Sequence, residues 1–374
     1  MFSLKEESRR IKYILFSLIS IFFLITLYAV IKGGNSYLLG SIRKANNDDV
    51  RFIRSASVLL NRHMFTCFST KLRTVFMMPG ISIILSFFML IFGKMGGVAA
   101  FRIFQAVLQS LSLFLIFFIT KKIFKNSKIA LIACFIDALY IPEIYTACLI
   151  LSEVTFKFLL LLLIYISIFA IETKKTRYYI AGGIIMGLEC YIRPTIGMFP
   201  VIILVFWLIY KYKFKEMVKY TLLVITIFCA ILSPWWIRNY IVFHRFIPLT
   251  LSTGNPFLQG VYINYSGKKT DPDYEKHKEG KNEIDANENQ LKSGKKIFIR
   301  TLKKEPVKYI KWYTWGKTYE MWNSPFYWKE VLDVPSMAAE IYHVFVLALG
   351  IIGFIFSIRS KNKFALFPAL VILY

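Results

Sequence analysis

Residues 77–93 read MMPGISIILSFFMLIFG, apolar throughout, uncharged, and with Pro-Gly near the start. Whether this run crosses a membrane sets the direction of every helix after it. A crossing helix needs roughly 20 apolar residues at about 1.5 Å each, and this run has 17. Spans are expected at about 11–32, 98–120, 129–150, 152–171, 195–212, 218–237 and 337–358, with a shorter glycine-rich one at about 178–192. Suppose 77–93 does not cross and the N-terminus is cytoplasmic. The loops around Lys121–Lys128, Lys174–Arg177, Lys211–Lys219 and Arg359–Lys363 then share the cytoplasmic side with the N-terminal tail. Together they hold 18 Lys/Arg against four acids, Glu6, Glu7, Glu172 and Glu216. A crossing at 77–93 would put every one of those later loops outside, against the positive-inside rule. The run is therefore placed on the outer surface, as a re-entrant or interfacial helix.

Composition agrees. Of 374 residues, 56% are hydrophobic and 17% aromatic, with a mean hydropathy of +0.53. Ordinary soluble domains are about 45–50% apolar. Lys and Arg outnumber Asp and Glu 47 to 22, yet the basic residues sit in short clusters between long apolar runs. That pattern flanks membrane spans and excludes a nucleic-acid binder, a disordered chain and a soluble enzyme. Cys67, Cys134, Cys148, Cys190 and Cys229 show no CxxC spacing, so neither a zinc site nor a disulfide framework is indicated. The four histidines lack metal-ligand spacing, and no Walker A or GxGxxG run marks a nucleotide site. No cofactor is expected, although a divalent-metal requirement stays open. The expected fold class is an all-α polytopic membrane protein located in the cytoplasmic membrane.

Three regions are expected. Residues 1–237 form a seven-span module with an outer loop at 33–97. Residues 238–335, which include DPDYEKHKEGKNEIDANENQLKSGKK, form a polar outer-face domain. Its basic and aromatic stretch from Lys292 to Trp328 is suited to lie along lipid headgroups. Residues 336–374 hold the C-terminal spans, and the last apolar run, Phe364–Tyr374, is too short to cross, which reads as a truncated chain.

The residues with chemical potential gather at the outer ends of these spans. Asp48-Asp49, in Asn46-Asn47-Asp48-Asp49, offers a general base for an acceptor hydroxyl, and equally an N-cap for the amphipathic run VRFIRSASVLL. Glu153, in LILSEVTF, stands at the mouth of a span, with Ser152 beside it and Glu143 near the same face. Asp137 lies deeper, where a buried acid points to pairing or function. Arg102, Arg193 and Arg238 break the charge rule at the outer face. Guanidinium groups there suit bidentate capture of a phosphate, or snorkelling to headgroups. Together these residues describe an outward pocket for an anionic lipid and a hydroxyl acceptor. Asn264-Tyr265-Ser266 also fits a glycosylation acceptor triplet.

Taken in order, several stretches resemble the GT-C class of membrane glycosyltransferases, and within it glycosyltransferase family 39. That family includes protein O-mannosyltransferases and the lipid A aminoarabinose transferase. The stretches are Asp48-Asp49 with Phe52 and Ala56, Pro79-Gly80, FGKMGGVAAFRIFQ, YIPEIYTACLILSEVTF, GIIMGLECYIRPT, and SPWWIRNYIVFHRFIPLTLSTGNPFLQG. The resemblance implies an inverting transfer of a hexosyl or pentosyl group from a polyprenyl-phosphate sugar donor to a lipid, glycan or protein acceptor. It implies that Asp48 is the catalytic base, Asp49 the second acid, Arg102 a donor-phosphate ligand and Glu153 an acid at the site. Met77-Met78 stands where the aminoarabinose branch carries a lysine, which argues against that branch. A flippase or transporter of an anionic lipid or glycan, and a truncated inactive relative, are the alternative readings.

Overall fold

The computed structural model describes residues 4–359 and 362–373. Lys361 of the last basic loop and Tyr374, where the final apolar run stops, lie outside the described residues. The described chain is helical, and no strand occurs among the described residues. α1 spans Arg9–Gly33, α2 Asp48–Arg62, α3 Gly80–Phe124, α4 Ser127–Ala138, α5 Ile141–Cys148 and α6 Glu153–Thr173. α7 spans Thr176–Ile192, α8 Phe199–Ile209 and α9 Phe214–Phe243. Among the described residues, five helices are long and apolar enough to cross a membrane: α1, α3, α6, α9 and the later Ser336–Arg359. The pair α4–α5, bent by 56°, is a sixth if read as one broken span. This is an all-α polytopic membrane protein, as the sequence predicts.

Three of the eight predicted spans are not single long helices: besides the bent α4–α5 pair at 129–150, two fold as short helices. α7 has 17 residues, and the 195–212 run becomes a 3-10 turn leading into α8. Pro194 is the cause. The residue before a proline is pushed away from helical geometry, and Arg193 is extended at φ −143°, ψ 123°.

The segment 80–92 folds back on the bundle. Gly93 breaks α3 at φ 71°, ψ 173°, a conformation that favours glycine. Beyond it, Gly97 lies so close to the first arm that a Cβ there would sit 2.5 Å from Met89 backbone atoms. At its other end, Gly80 abuts the Tyr191 carbonyl, where a Cβ would come within 2.4 Å. Both ends of the segment therefore meet the same end of the bundle.

Helix termini sort into two sets. At the basic end, Glu7 pairs with Lys121 and accepts from Ser127. Lys122 pairs with Glu172 at 2.6 Å, and Lys174 with Glu216 at 2.8 Å. At the opposite, loop end lie the C-termini of α1, α5, α7 and α9 and the N-termini of α2 and α6. There α10 (Gly254–Gly260), α11 (Gly267–Thr270), α12 (Glu283–Lys304), α13 (Pro306–Lys311) and α14 (Lys317–Trp322) gather on a small core that includes Leu258, Tyr262 and Ile297. Val307, Trp315, Tyr319 and Trp328 of this region stay exposed. α15 (Ser336–Arg359) then runs back along α4, Tyr342 donating to the Ile136 carbonyl at 3.0 Å, and α16 (Leu366–Leu373) lies against α8.

Candidate active site

α2 is amphipathic, and its buried stripe of Val50, Ile53 and Ala56 joins Leu85, Phe101 and Ile192 in one apolar cluster that also takes in Ile150. Four cluster members lie one to three residues from a candidate polar group: Val50 beside Asp49, Phe101 beside Arg102, Ile150 near Glu153, Ile192 beside Arg193. Hydrophobic burial thus draws four separate segments of chain to one place, with the polar groups at its rim.

The two aspartates are not equivalent. The N-cap is Asn47, whose Oδ1 accepts from Asp48 N at 2.7 Å. Asp49 is fully buried, its Oδ2 accepting from Leu39 N at 2.6 Å and its Oδ1 from Val50 N at 2.7 Å. Asp48 is 68% exposed at its side chain and pairs with Arg51 Nη1 at 2.9 Å, one turn along α2. Both carboxylates lie in the first helical turn, where the helix dipole favours negative charge. The two roles weighed from the sequence, a helix N-terminal fixture and an available carboxylate, are divided between neighbours.

Arg102 is buried, donating from Nε to the Cys148 carbonyl at 2.8 Å and from Nη1 to Asn35 Oδ1 at 3.1 Å. Its Nη2 is buried with no hydrogen-bond partner. Gln105 and Gln109 extend the same stripe of α3, donating to the Ala147 carbonyl at 3.2 Å and the Glu143 carbonyl at 2.9 Å. Arg102 and Gln105 satisfy C-terminal carbonyls that α5 cannot satisfy itself, and Gln109 reaches its first turn. Next to them, Glu153 Oε1 accepts from Arg193 Nη2 at 2.6 Å, while Arg193 Nε donates to Ser152 Oγ at 2.7 Å. Glu153 Oε2 is buried with no hydrogen-bond partner.

Arg238 has different surroundings. Its Nη1 donates to the Thr74 carbonyl at 2.7 Å, and its guanidinium lies 5.0 to 5.7 Å from the rings of Trp235, Phe243 and Phe65. It braces the 65–76 loop, which is also tied to α12 where Thr74 Oγ1 donates to both Glu283 oxygens at 2.8 Å. Burial raises the Glu283 carboxyl above its ordinary range, against the lowering effect of those bonds. Between this loop, α2, α10 and α12 lies a cavity of about 590 Å³, lined by Arg51, Phe68, Phe76, Asn255, Glu279 and Gln290 among others. The three arginines read together from the sequence are therefore held by three different sets of partners.

Several groups escaped the sequence reading. Arg51 sits three residues after Asp48, a helical spacing visible in the sequence. Lys157 was hidden in an apolar run. Its Nζ binds Asp137 Oδ1 at 2.9 Å and Glu143 Oε2 at 2.8 Å, at the break between α4 and α5. The pairing expected for Asp137 is thus found. Lys329 reaches back to the Ser36 and Leu38 carbonyls at 2.7 and 2.6 Å, a contact across almost the whole chain that no local pattern announces. All five cysteines are free. Among the described residues, no group of three His, Cys, Asp or Glu is placed to hold a metal ion.

Fold and site together define a multi-pass helical membrane protein with acidic and arginine side chains gathered at one end of its bundle. Residues 78–237 match the dolichyl-phosphate-mannose-protein mannosyltransferase family. The match runs from the start of the fold-back segment through most of α9. It includes Arg102, Glu153 and Arg193, and leaves Asp48, Asp49 and Arg238 outside. No curated protein matches the chain.

Proposed function

We propose that the protein transfers a sugar from a polyprenyl-phosphate-linked donor to an acceptor hydroxyl at the loop end of the bundle, on the outer face of the cytoplasmic membrane. The observation that carries this reading is the division of labour at the head of α2. Buried Asp49 anchors the turn, and exposed Asp48 pairs with Arg51, whose side chain lines the 590 Å³ cavity.

In this reading the acceptor occupies that cavity, whose size falls in the range of roughly 300–1,000 Å³ usual for small-ligand sites. Asp48 takes the proton of the acceptor hydroxyl as its oxygen attacks the anomeric carbon. The bond from that carbon to the phosphate oxygen breaks, polyprenyl phosphate leaves, and the single displacement inverts the configuration. Arg193 and the unpartnered Nη2 of Arg102 supply donors to the phosphate as its charge grows. Arg238 holds the cavity wall through Thr74. The charge rule puts the N-terminus and the basic loops in the cytoplasm.

A second reading, transport of an anionic lipid or glycan, has one observation in its favour. The broken α4–α5 pair carries Asp137 and Glu143 against Lys157, and broken helices with ionisable groups are a transporter feature. One experiment separates the two. Membranes holding the protein are given labelled polyprenyl-phosphate sugars, and transfer is compared between wild type and Asp48→Asn. Transfer by wild type alone supports the enzyme. Equal transfer by both removes Asp48 from the mechanism. Label that changes leaflet without changing covalent attachment supports transport.

A further inference from the structure

At the basic end, remote from Asp48, α6, α7, α8 and α9 enclose an apolar slot of about 360 Å³. Leu163, Met186 and Phe199 line its deep part, each ten residues from the basic end of its helix in α6, α7 and α8. At about 1.5 Å per residue that depth is about 15 Å, half of a hydrocarbon core of about 30 Å and so the thickness of one leaflet.

The mouth is built from aromatic residues whose polar tips are all engaged. The Tyr179 and Tyr220 rings stack with centroids 3.8 Å apart. Trp207 Nε1 donates to Tyr179 OH at 2.9 Å, Tyr179 and Tyr212 hydroxyls lie 2.9 Å apart, and Tyr212 donates to the Ile171 carbonyl at 2.8 Å. Such rings, apolar in body and polar at the tip, belong at a membrane–water boundary.

Above this mouth the charge is strongly one-sided. The turns 174–177 and 211–219 carry seven cations and one acid, Glu216. Lys174 takes up that acid at 2.8 Å. Lys175, Arg177, Lys211, Lys213, Lys215 and Lys219 are exposed, and none of these six is in an ion pair among the described residues.

We infer that this slot and its basic rim form a binding site for an anionic glycerophospholipid of the adjoining leaflet. One acyl chain lies in the slot, and the phosphate and its headgroup rest on the lysines. Basic pockets between spans on the cytoplasmic side favour such lipids. A neutral lipid would fill the slot but leave six cations without a counter-charge. A polyprenyl chain, much longer than one leaflet is thick, would overrun a slot of this depth. The site is independent of the transfer chemistry proposed at the other end.

The test uses the purified full chain in neutral detergent, mixed with phosphatidylglycerol, phosphatidylcholine or polyprenyl phosphate. Bound lipid is counted by native mass spectrometry and the unfolding midpoint is followed. Phosphatidylglycerol is expected to stay bound and to raise the midpoint, and phosphatidylcholine to do neither. Leu204→Trp, which fills the slot, and the triple change Lys213→Gln, Lys215→Gln, Lys219→Gln are each expected to weaken retention on the order of tenfold or more. Equal retention of phosphatidylcholine, preference for polyprenyl phosphate, or unchanged retention in the triple variant overturns the proposal. Should Leu204→Trp not fold, the triple variant alters only exposed side chains and decides alone.

Discussion

Arg193 and Glu153 join the end of α7 to the start of α6, 40 residues apart in sequence, through a 2.6 Å bond from Nη2 to Oε1. The same guanidinium reaches Ser152 through Nε at 2.7 Å. Both partners are partly exposed, at 41% and 29% of their side chains, so solvent screening limits the strength of the pair. Its importance is positional. A double-mutant cycle of Arg193→Ala and Glu153→Ala, read in transfer rate, should show strong coupling, and read in thermal stability only about 0.5–1 kcal/mol. Additive effects on rate would place the pair outside the site.

The paired aspartates should respond differently to the same change. Asp48→Asn removes the proposed base without touching the fold, and transfer should fall by about 10²–10⁴-fold with little change in melting temperature. Asp49→Asn weakens a buried acceptor of two backbone bonds, and should destabilise by about 1–3 kcal/mol. Melting curves and transfer assays on both variants check this. Melting behaviour shared by the two would sink the division of roles.

Lys157 neutralises a pair of acids inside the helical bundle. Lys157→Met leaves Asp137 and Glu143 facing each other without their cation, and should cost about 3–5 kcal/mol. Adding Asp137→Asn and Glu143→Gln to it should restore most of the stability. Comparing folded yield and unfolding midpoint across the single and triple variants measures the effect.

Docking of the 65–76 loop on α12 should depend on pH through Glu283. Burial raises its carboxyl above the ordinary value of 4.5 in the docked state. As pH climbs through 4.5, the undocked carboxyl ionises first, so the docked state holds the extra proton. Stability of the docked loop therefore falls as pH rises from there to the raised value, and levels off above it. Hydrogen exchange of the Thr74 and Val75 amides should speed up across that window, and Glu283→Gln should flatten the profile.

The fold-back at Gly93 should tolerate no bulk at Gly97. Gly97→Ala places a methyl 2.5 Å from Met89 backbone atoms, whereas Gly197→Ala meets nothing within 4 Å. The first should lower the unfolding midpoint and the second should not. A matched pair of melting curves is sufficient.

Most of the helical frame was legible in the sequence because its causes are local. Apolar run length sets which segments form long helices, Pro194 stops one, and Asn47 caps another. The placement of 77–93 came from charge parity and agrees with a segment whose two ends meet one end of the bundle. The clustering of Asp49, Arg102, Glu153 and Arg193 was partly legible, since all flank apolar runs at helix ends. Lys157 was not, because a single cation in an apolar run gives no sign of acids 20 and 14 residues earlier until α4, α5 and α6 are folded together.

By itself, then, the sequence determined that the chain is a bundle of membrane helices with a basic end and an acid-and-arginine end. Hydropathy and charge are sums over neighbouring residues, and one dimension holds them. Tertiary structure alone decided which aspartate is buried and what each arginine holds. Asp49 is buried because Leu39 N is brought to it, and Arg102 is spent on a carbonyl 46 residues away. Arg238 braces a loop 164 residues before it. Hydrogen bonds are directional and short, and their partners exist only after packing has brought distant backbone within about 3 Å.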